Sequence, residues 1–206
     1  AKADVDDILV LISATNHGPE PAAIHLLPSL WFRNTWSWDP KVERPALRRG
    51  DDTHAGQAVI EVNAPRLGQR WLIAEAPDET LFTENETNGA RLFGTPNLAP
   101  YVKDAFHRHV VEGTANAVNP ADEGTKAAVH YVRTIAPGAT ESFRLRLTDQ
   151  HPAGLDELGD DFERVFADRR AEADAFYDTV IPAERSDEER KVMRQAFAGL
   201  LWSKQY

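Results

Sequence analysis

The 206-residue chain is 42% hydrophobic and 27% charged, the balance of a globular protein with enough apolar mass for a real core. Its 23 Lys and Arg against 33 Asp and Glu give a net charge of −10, which argues against a polyphosphate track such as nucleic acid as a ligand. It has no cysteine, so thiolate nucleophiles, cysteine-ligated zinc and disulfides are excluded, and any chemistry must come from carboxylates, histidines, hydroxyls or a partner.

In chain order, a period-2 pattern predicts a strand from Asp7 to Thr15 with Ile8, Val10, Ile12 and Ala14 on one face, stopped by the turn Asn16-His17-Gly18-Pro19. A second strand candidate covers residues 22–36, where Pro28 rules out an unbroken central strand and favours an edge or a bulge. Ala58, Ile60 and Val62 alternate with their neighbours, and residues 71–76 and 81–84 are short β-like runs separated by Pro77-Asp78. Residues 88–119 are rich in Gly, Pro and Asn, and within them residues 102–111 fit helix or strand equally well. Residues 127–147 alternate cleanly and read as an antiparallel hairpin with one wet face, turning at Pro137-Gly138. The apolar runs fall far short of the ~20 residues that span a bilayer, so no membrane partner is expected.

After Asp149-Gln150-His151-Pro152 the period changes. Phe162, Val165, Phe166, Ala173, Phe176, Tyr177 and Val180 share one helical face, Pro182 ends that helix, and Ser186 with Glu189 forms a capping box for the next. The last helix carries the stripe Val192, Met193, Ala196, Phe197, Leu200 and Leu201 and meets no stop signal, while the chain opens at Ala1 on a strand pattern. The expectation is a piece of something longer: a mainly β domain over residues 1–150, built as an antiparallel β-sandwich, then helices over residues 151–206.

Motif chemistry is mostly negative. No Gly-x-Gly dinucleotide turn, no Gly-x-Ser-x-Gly elbow and no His-Glu-x-x-His zinc helix occurs. Gly89 to Gly94 and Gly154 to Gly159 have P-loop spacing but continue with Thr95 and Asp160 where lysine is required. His107-x-His109 would put two imidazoles on one face of a strand, yet no third ligand is assignable, and no metal is predicted. Asp51-Asp52-Thr53-His54 reads as a solvated acidic loop, and the sequon Asn85-Glu86-Thr87 is too short to carry weight.

Two segments are denser. Trp31-Phe32-Arg33-Asn34-Thr35-Trp36-Ser37-Trp38 combines aromatic faces with fixed polar groups, the mixture that sugar sites use, although sheet packing with Trp36 and Trp38 on one side explains it equally. In Thr83-Glu84-Asn85-Glu86-Thr87-Asn88 an extended chain would aim Glu84 and Glu86 to one face. A glycosidase needs its acid and base on opposite sides of the scissile bond, so hydrogen-bonding support is favoured over catalysis for this pair.

These segments resemble the N-terminal part of bacterial and fungal proteins grouped with glycoside hydrolase family 63. The likeness runs through Leu27-Pro28-Ser29-Leu30 and the tryptophan segment, Leu81-Phe82 and the acidic segment, Leu92-Phe93-Gly94, and Pro100-Tyr101-Val102-Lys103-Asp104. It continues through Val118-Asn119-Pro120, Gly124-Thr125-Lys126-Ala127-Ala128, Arg144 to Asp149, and Met193 through Gln205. The resemblance implies a β-sandwich of the supersandwich type, a helical linker, and the start of an (α/α)6 barrel whose two acidic residues, beyond Tyr206, catalyse inverting hydrolysis of a glycoside or oligosaccharide. The expected setting is cytoplasmic and bacterial. No catalytic residue, metal or cofactor is carried over to this chain.

The candidate sugar contacts are Trp31, Arg33, Asn34, Trp36, Trp38, Glu84, Asn85, Glu86 and Asn88. The expected partners are the glycoside substrate and the catalytic barrel, with self-association of the isolated chain through the last helix. The competing readings are a stand-alone carbohydrate-binding module and a structural domain whose tryptophans are all core.

Overall fold

The computed structural model describes residues 1–39, 41–51, 56–152 and 158–203. In chain order the strands are β1 (Lys2–Asp4), β2 (Asp7–Thr15), β3 (Ala22–Leu26), β4 (Ser29–Trp31), β5 (Ala46–Arg49), β6 (Gln57–Ala64), β7 (Gly68–Glu75) and β8 (Glu79–Thr83). Helices α1 (Gly89–Phe93) and α2 (Ala105–Glu112) precede β9 (Glu123–Gly124), β10 (Lys126–Ile135) and β11 (Thr140–Thr148), and α3 (Asp160–Val180) and α4 (Asp187–Trp202) close the order.

The protein is mainly β, an antiparallel sandwich followed by C-terminal helices. One sheet has the order β1-β2-β11-β7-β6-β5-β9; in the other, β10 pairs with β3 and β4 along one side and with β8 on the other. The inner faces meet in one core containing Leu47, Ile60, Val62, Leu72, Phe82, Val129, Tyr131, Phe143 and Leu145. The break expected at Pro28 is there: β3 and β4 are two short pieces of one edge, both held by β10.

Two local readings are corrected. Residues 127–147 are not a hairpin, because β10 and β11 lie in different sheets and never pair. β11 pairs with β2 over its full length, Thr140 opposite Thr15 through Thr148 opposite Asp7, and Tyr131 meets Phe143 across the core at 4.7 Å. Pro137-Gly138 is therefore a crossing between sheets, made beside the crossing in the opposite direction from β2 to β3. Asn16 ties the two together: its backbone N–H donates to Ala139, its carbonyl accepts from Gly138, and its side chain donates to Ile135. Gly138 sits at φ +72°, a conformation that favours glycine.

In β2 the face carrying Ile8 packs on the core through Ile12 and Ala14, but at the start of the strand the opposite face is the more buried one. Leu9 is 1% exposed and Ile8 41%, because the outer face of the larger sheet is itself covered by α3. Leu9, Val59, Trp71 and Ile73 pack there against Leu158, Phe162 and Val165. A strand between a core and a covering helix buries both faces, so alternation alone does not mark its inside.

Ser186 caps α4 and Glu189 returns the bond to the cap's backbone N–H, as the sequence predicts. Arg194 holds α4 to α3 through Asp174 and lies 4.7 Å over the ring of Tyr177. Val192, Leu200, Leu201 and Trp202 stand exposed. No helix among the described residues is long and apolar enough to cross a membrane.

α2 covers the outer face of the small sheet through Phe106 and Val110, packed on Leu81 and Ala128, and through His109, whose Nε2 lies 3.1 Å from Glu79. Burial pushes the Glu79 carboxyl up, but hydrogen bonds from His130 and His109 outweigh it and hold the group below the usual glutamate value. The Val132 N–H and then Arg133 lower Asp78. Both carboxyls are depressed in the folded state, so their stabilisation is present above their unfolded values of about 4 and is lost as pH falls through the folded ones. Urea midpoints are expected to drop between pH 6 and pH 3, and Glu79→Gln should narrow that drop; an unchanged drop in the variant would contradict the assignment.

Candidate functional site

The site grows from the end of β8. The strand stops at Thr83, whose hydroxyl donates to the Val102 carbonyl at 3.0 Å, and the chain continues into residues 84–88 against the loop of residues 32–39. Glu86 is 8% exposed. One of its carboxylate oxygens accepts the Asn34 side-chain N–H and the other the Trp36 indole N–H, each at 2.8 Å. Asn34 also donates to the Asn85 carbonyl and accepts from the Ser37 N–H, while the Asn85 side chain donates to the Phe32 carbonyl at 2.8 Å. A buried carboxylate needs partners for both oxygens, and here the loop supplies them.

Glu84 goes to a separate set of groups. It is ion-paired with Arg44 and accepts the Thr125 hydroxyl at 2.7 Å, while the Thr125 oxygen accepts the Asn85 N–H. Asn88 caps α1 by accepting from the Arg91 N–H and donates its amide to the Asp104 carboxylate at 3.0 Å. Lys103 N–H donates to the Glu86 carbonyl at 2.9 Å, so the segment leading into α2 is stitched to the same loop.

Of the nine predicted contacts, Asn34, Trp36, Asn85, Glu86 and Asn88 spend polar atoms inside the protein, and Glu84 is held by Arg44 and Thr125. Trp31, Arg33 and Trp38 face solvent: Trp31 is 56% and Trp38 68% exposed, and the Arg33 guanidinium lies 5.1 Å from the Trp38 ring. The segment is not a strand beyond Trp31. Residues 36–38 form a turn, Trp38 N–H donating to the Thr35 carbonyl, so Trp36 goes inward to Glu86 while Trp38 goes out. Tryptophans two apart therefore do not share a side, contrary to the alternation expected for a strand.

The arrangement offers the Trp31 ring at the end of β4 and, on the braced loop that follows, the Trp38 ring and the Arg33 guanidinium. The sequence reading missed the braces Arg44, Thr125 and Asp104, for which it holds no local signal. It also misplaced the histidine pair: residues 107 and 109 lie on helix α2, where positions two apart diverge by about 200°, so His107 is exposed and His109 turns to Glu79. Among the described residues no group of three His, Asp or Glu side chains is placed to hold a metal ion. Residues 52–54 of the acidic loop and Gly154 lie outside the described residues.

The fold and site together define a β-sandwich with C-terminal helices that presents a carboxylate-braced, tryptophan-bearing loop at one end. Among characterised sequences no family model matches the chain. It is 35% identical over 217 aligned residues to the uncharacterized protein YMR196W of Saccharomyces cerevisiae, an alignment that takes in 89% of this chain and 20% of the yeast protein. The chain thus spans about a fifth of the length of the curated relative it matches.

Proposed function

We propose that this chain is the non-catalytic N-terminal β-sandwich domain of a glycoside hydrolase family 63-like inverting α-glycosidase, in which it braces a catalytic helical barrel and lends residues 31–38 to the rim of the sugar pocket. The observation that carries this reading is the Glu86 brace. It fixes the surface loop that follows Trp31 and displays Arg33 and Trp38, and ordered aromatic faces with one cation suit the apolar face and hydroxyls of a sugar. Residues 151–206 are then the linker and the first part of the barrel, and the exposed stripe on α4 is a surface that helical neighbours would cover.

In a longer protein containing the barrel, Arg33→Ala should lower kcat/KM about ten-fold, the equivalent of ~1.4 kcal/mol, with little change in thermal stability. A loss of stability in proportion to activity would make the segment structural. The isolated chain should show only background hydrolysis of α-linked glucosides and mannosides, and turnover abolished by Glu84→Gln or Glu86→Gln would overturn the non-catalytic assignment.

A second reading, the stand-alone carbohydrate-binding module, is favoured by the exposure of two tryptophans near one another in sequence. Exposed Val192, Leu200, Leu201 and Trp202 on α4 weigh against it, since an independent module has no use for an uncovered apolar stripe. Sedimentation of the isolated chain should show concentration-dependent self-association through that stripe. A strict monomer that binds oligosaccharide on its own would favour the module.

A further inference from the structure

The outer face of the small sheet holds a second polar cluster, apart from the proposed carbohydrate role. His130 on β10 is 4% exposed, and its two ring nitrogens are both engaged: Nδ1 lies 2.8 Å from Glu79 Oε1 on β8, and Nε2 lies 2.9 Å from His25 Nδ1 on β3. The His25 and His130 rings stack with centroids 5.1 Å apart. His25 is exposed, so the chain Glu79, His130, His25 runs from a partly covered carboxylate to solvent.

Hydrogen-bond chemistry limits what this chain can carry. Between His130 Nε2 and His25 Nδ1 one nitrogen must donate and the other accept. With both rings neutral, Glu79 accepts from His130 Nδ1–H and His130 Nε2 accepts from His25. One added proton is tolerated, because the tautomer of His25 can reverse the bond. With two imidazoliums both facing nitrogens carry a proton, the 2.9 Å bond is impossible, and two like charges are stacked ring on ring.

The other charged groups around the pair do not relieve this. From α2 His109 faces Glu79 and shares its carboxylate, while Arg108 and Glu112 pair with each other. Asp78, just before β8, is taken by Arg133 of β10, which also reaches Glu141 of β11. Glu79 is thus the carboxylate hydrogen-bonded to His130, and it already serves two imidazoles; Asp78 also lies within electrostatic reach of His130, with Arg133 paired to it.

β3 is an edge strand held on one side only. It pairs with β10 alone, from Ala22 opposite Ile135 to Leu26 opposite Tyr131, and it buries only parts of Ile24 and Leu26. We propose that Glu79, His130 and His25 form a proton-operated latch that closes β3 onto β10 when the two histidines carry at most one proton between them and releases it when both are charged. The released strand runs through Pro28 directly into β4 and Trp31, so the latch acts on the strand edge that leads to the tryptophan loop.

The test is amide hydrogen exchange on the whole chain at pH 7.5 and pH 5, corrected for intrinsic rates, a window that brackets the ordinary imidazole value of about 6.5. The expected result is a fall of ten-fold or more in the protection of β3 amides at the lower pH, with β2 and β11 unchanged. His25→Phe keeps a stacked ring without a charge, and His25→Asn keeps a hydrogen-bonding group without one, so β3 protection in each should no longer respond to pH. Equal wild-type protection at both pH values, or an equal fall in both variants, would overturn the latch.

Discussion

Gly124→Ala is expected to destabilise the protein by about 3 kcal/mol, a drop of about 6–12 °C in Tm for a chain of this size. A Cβ at this position would lie 2.2 Å from the Thr83 carbonyl oxygen and 2.7 Å from its carbon, and both are backbone atoms that cannot swing aside. Neither side of the contact is free. Gly124 stands opposite Leu47 in the larger sheet, whereas Thr83 belongs to β8 of the smaller one, where it accepts from the Thr125 N–H at 3.1 Å and donates to the Val102 carbonyl. The glycine is where the edge of one sheet touches the other, so a methyl group forces the sheets apart at the root of residues 84–88. Gly199→Ala, which meets nothing within 4 Å on α4, is the control and should be neutral or stabilising by about 0.5 kcal/mol. Chemical denaturation of both variants decides the matter, and a Gly124→Ala midpoint equal to wild type would show that the sheets do not meet there.

Removing the Glu86 carboxylate should release the tryptophan loop. In Glu86→Ala the Trp36 indole N–H loses its acceptor and the Asn34 amide N–H keeps only the Asn85 carbonyl, a loss of about 2 kcal/mol for half-buried donors short of partners. Glu86→Gln keeps one acceptor oxygen but turns an amide N–H toward Asn34 or Trp36. Asn34 does not readily flip to meet it, because its Oδ1 already accepts from the Ser37 N–H. The variants should therefore rank alanine below glutamine below wild type in the exchange protection of the Trp36 indole proton. Under the proposed function, both should also lower kcat/KM by ten-fold or more in a barrel-containing protein, although Glu86 is buried and Trp31, Arg33 and Trp38 are the exposed groups. An indole proton equally protected in all three proteins would remove Glu86 from its role as brace.

Covalent neighbours and short-range periodicity were enough for part of this architecture. The change from period 2 to period 3.6 after residue 150 marks where sandwich gives way to helices, because each periodicity is imposed by backbone geometry within one element. Pro28 interrupts its strand because it has no N–H to give a ladder, and Ser186 with Glu189 starts α4 because both capping bonds lie within one turn. Residues 102–111 were ambiguous because their apolar residues serve either period; packing of Phe106 and Val110 onto Leu81 and Ala128 accompanies the helix.

What the tertiary structure alone decided is which surfaces meet. Alternation in residues 127–147 is the same for a hairpin and for a crossing between sheets, since both send every second side chain inward; the full-length ladder of β11 with β2 selects the crossing. Leu9 rather than Ile8 is buried because α3, some 150 residues further along the chain, covers the outer face of that strand. In the same way Glu86 and Trp36 carry no local mark of each other. A carboxylate and an indole fifty residues apart become partners only when β8 ends beside the loop that follows β4, and the roles of Gly124 against Thr83 and of His25 against His130 follow from the same pairing of strands distant in sequence. Local pattern fixes which way a side chain can point, whereas the group it meets there depends on strand register and on which element lies over that face.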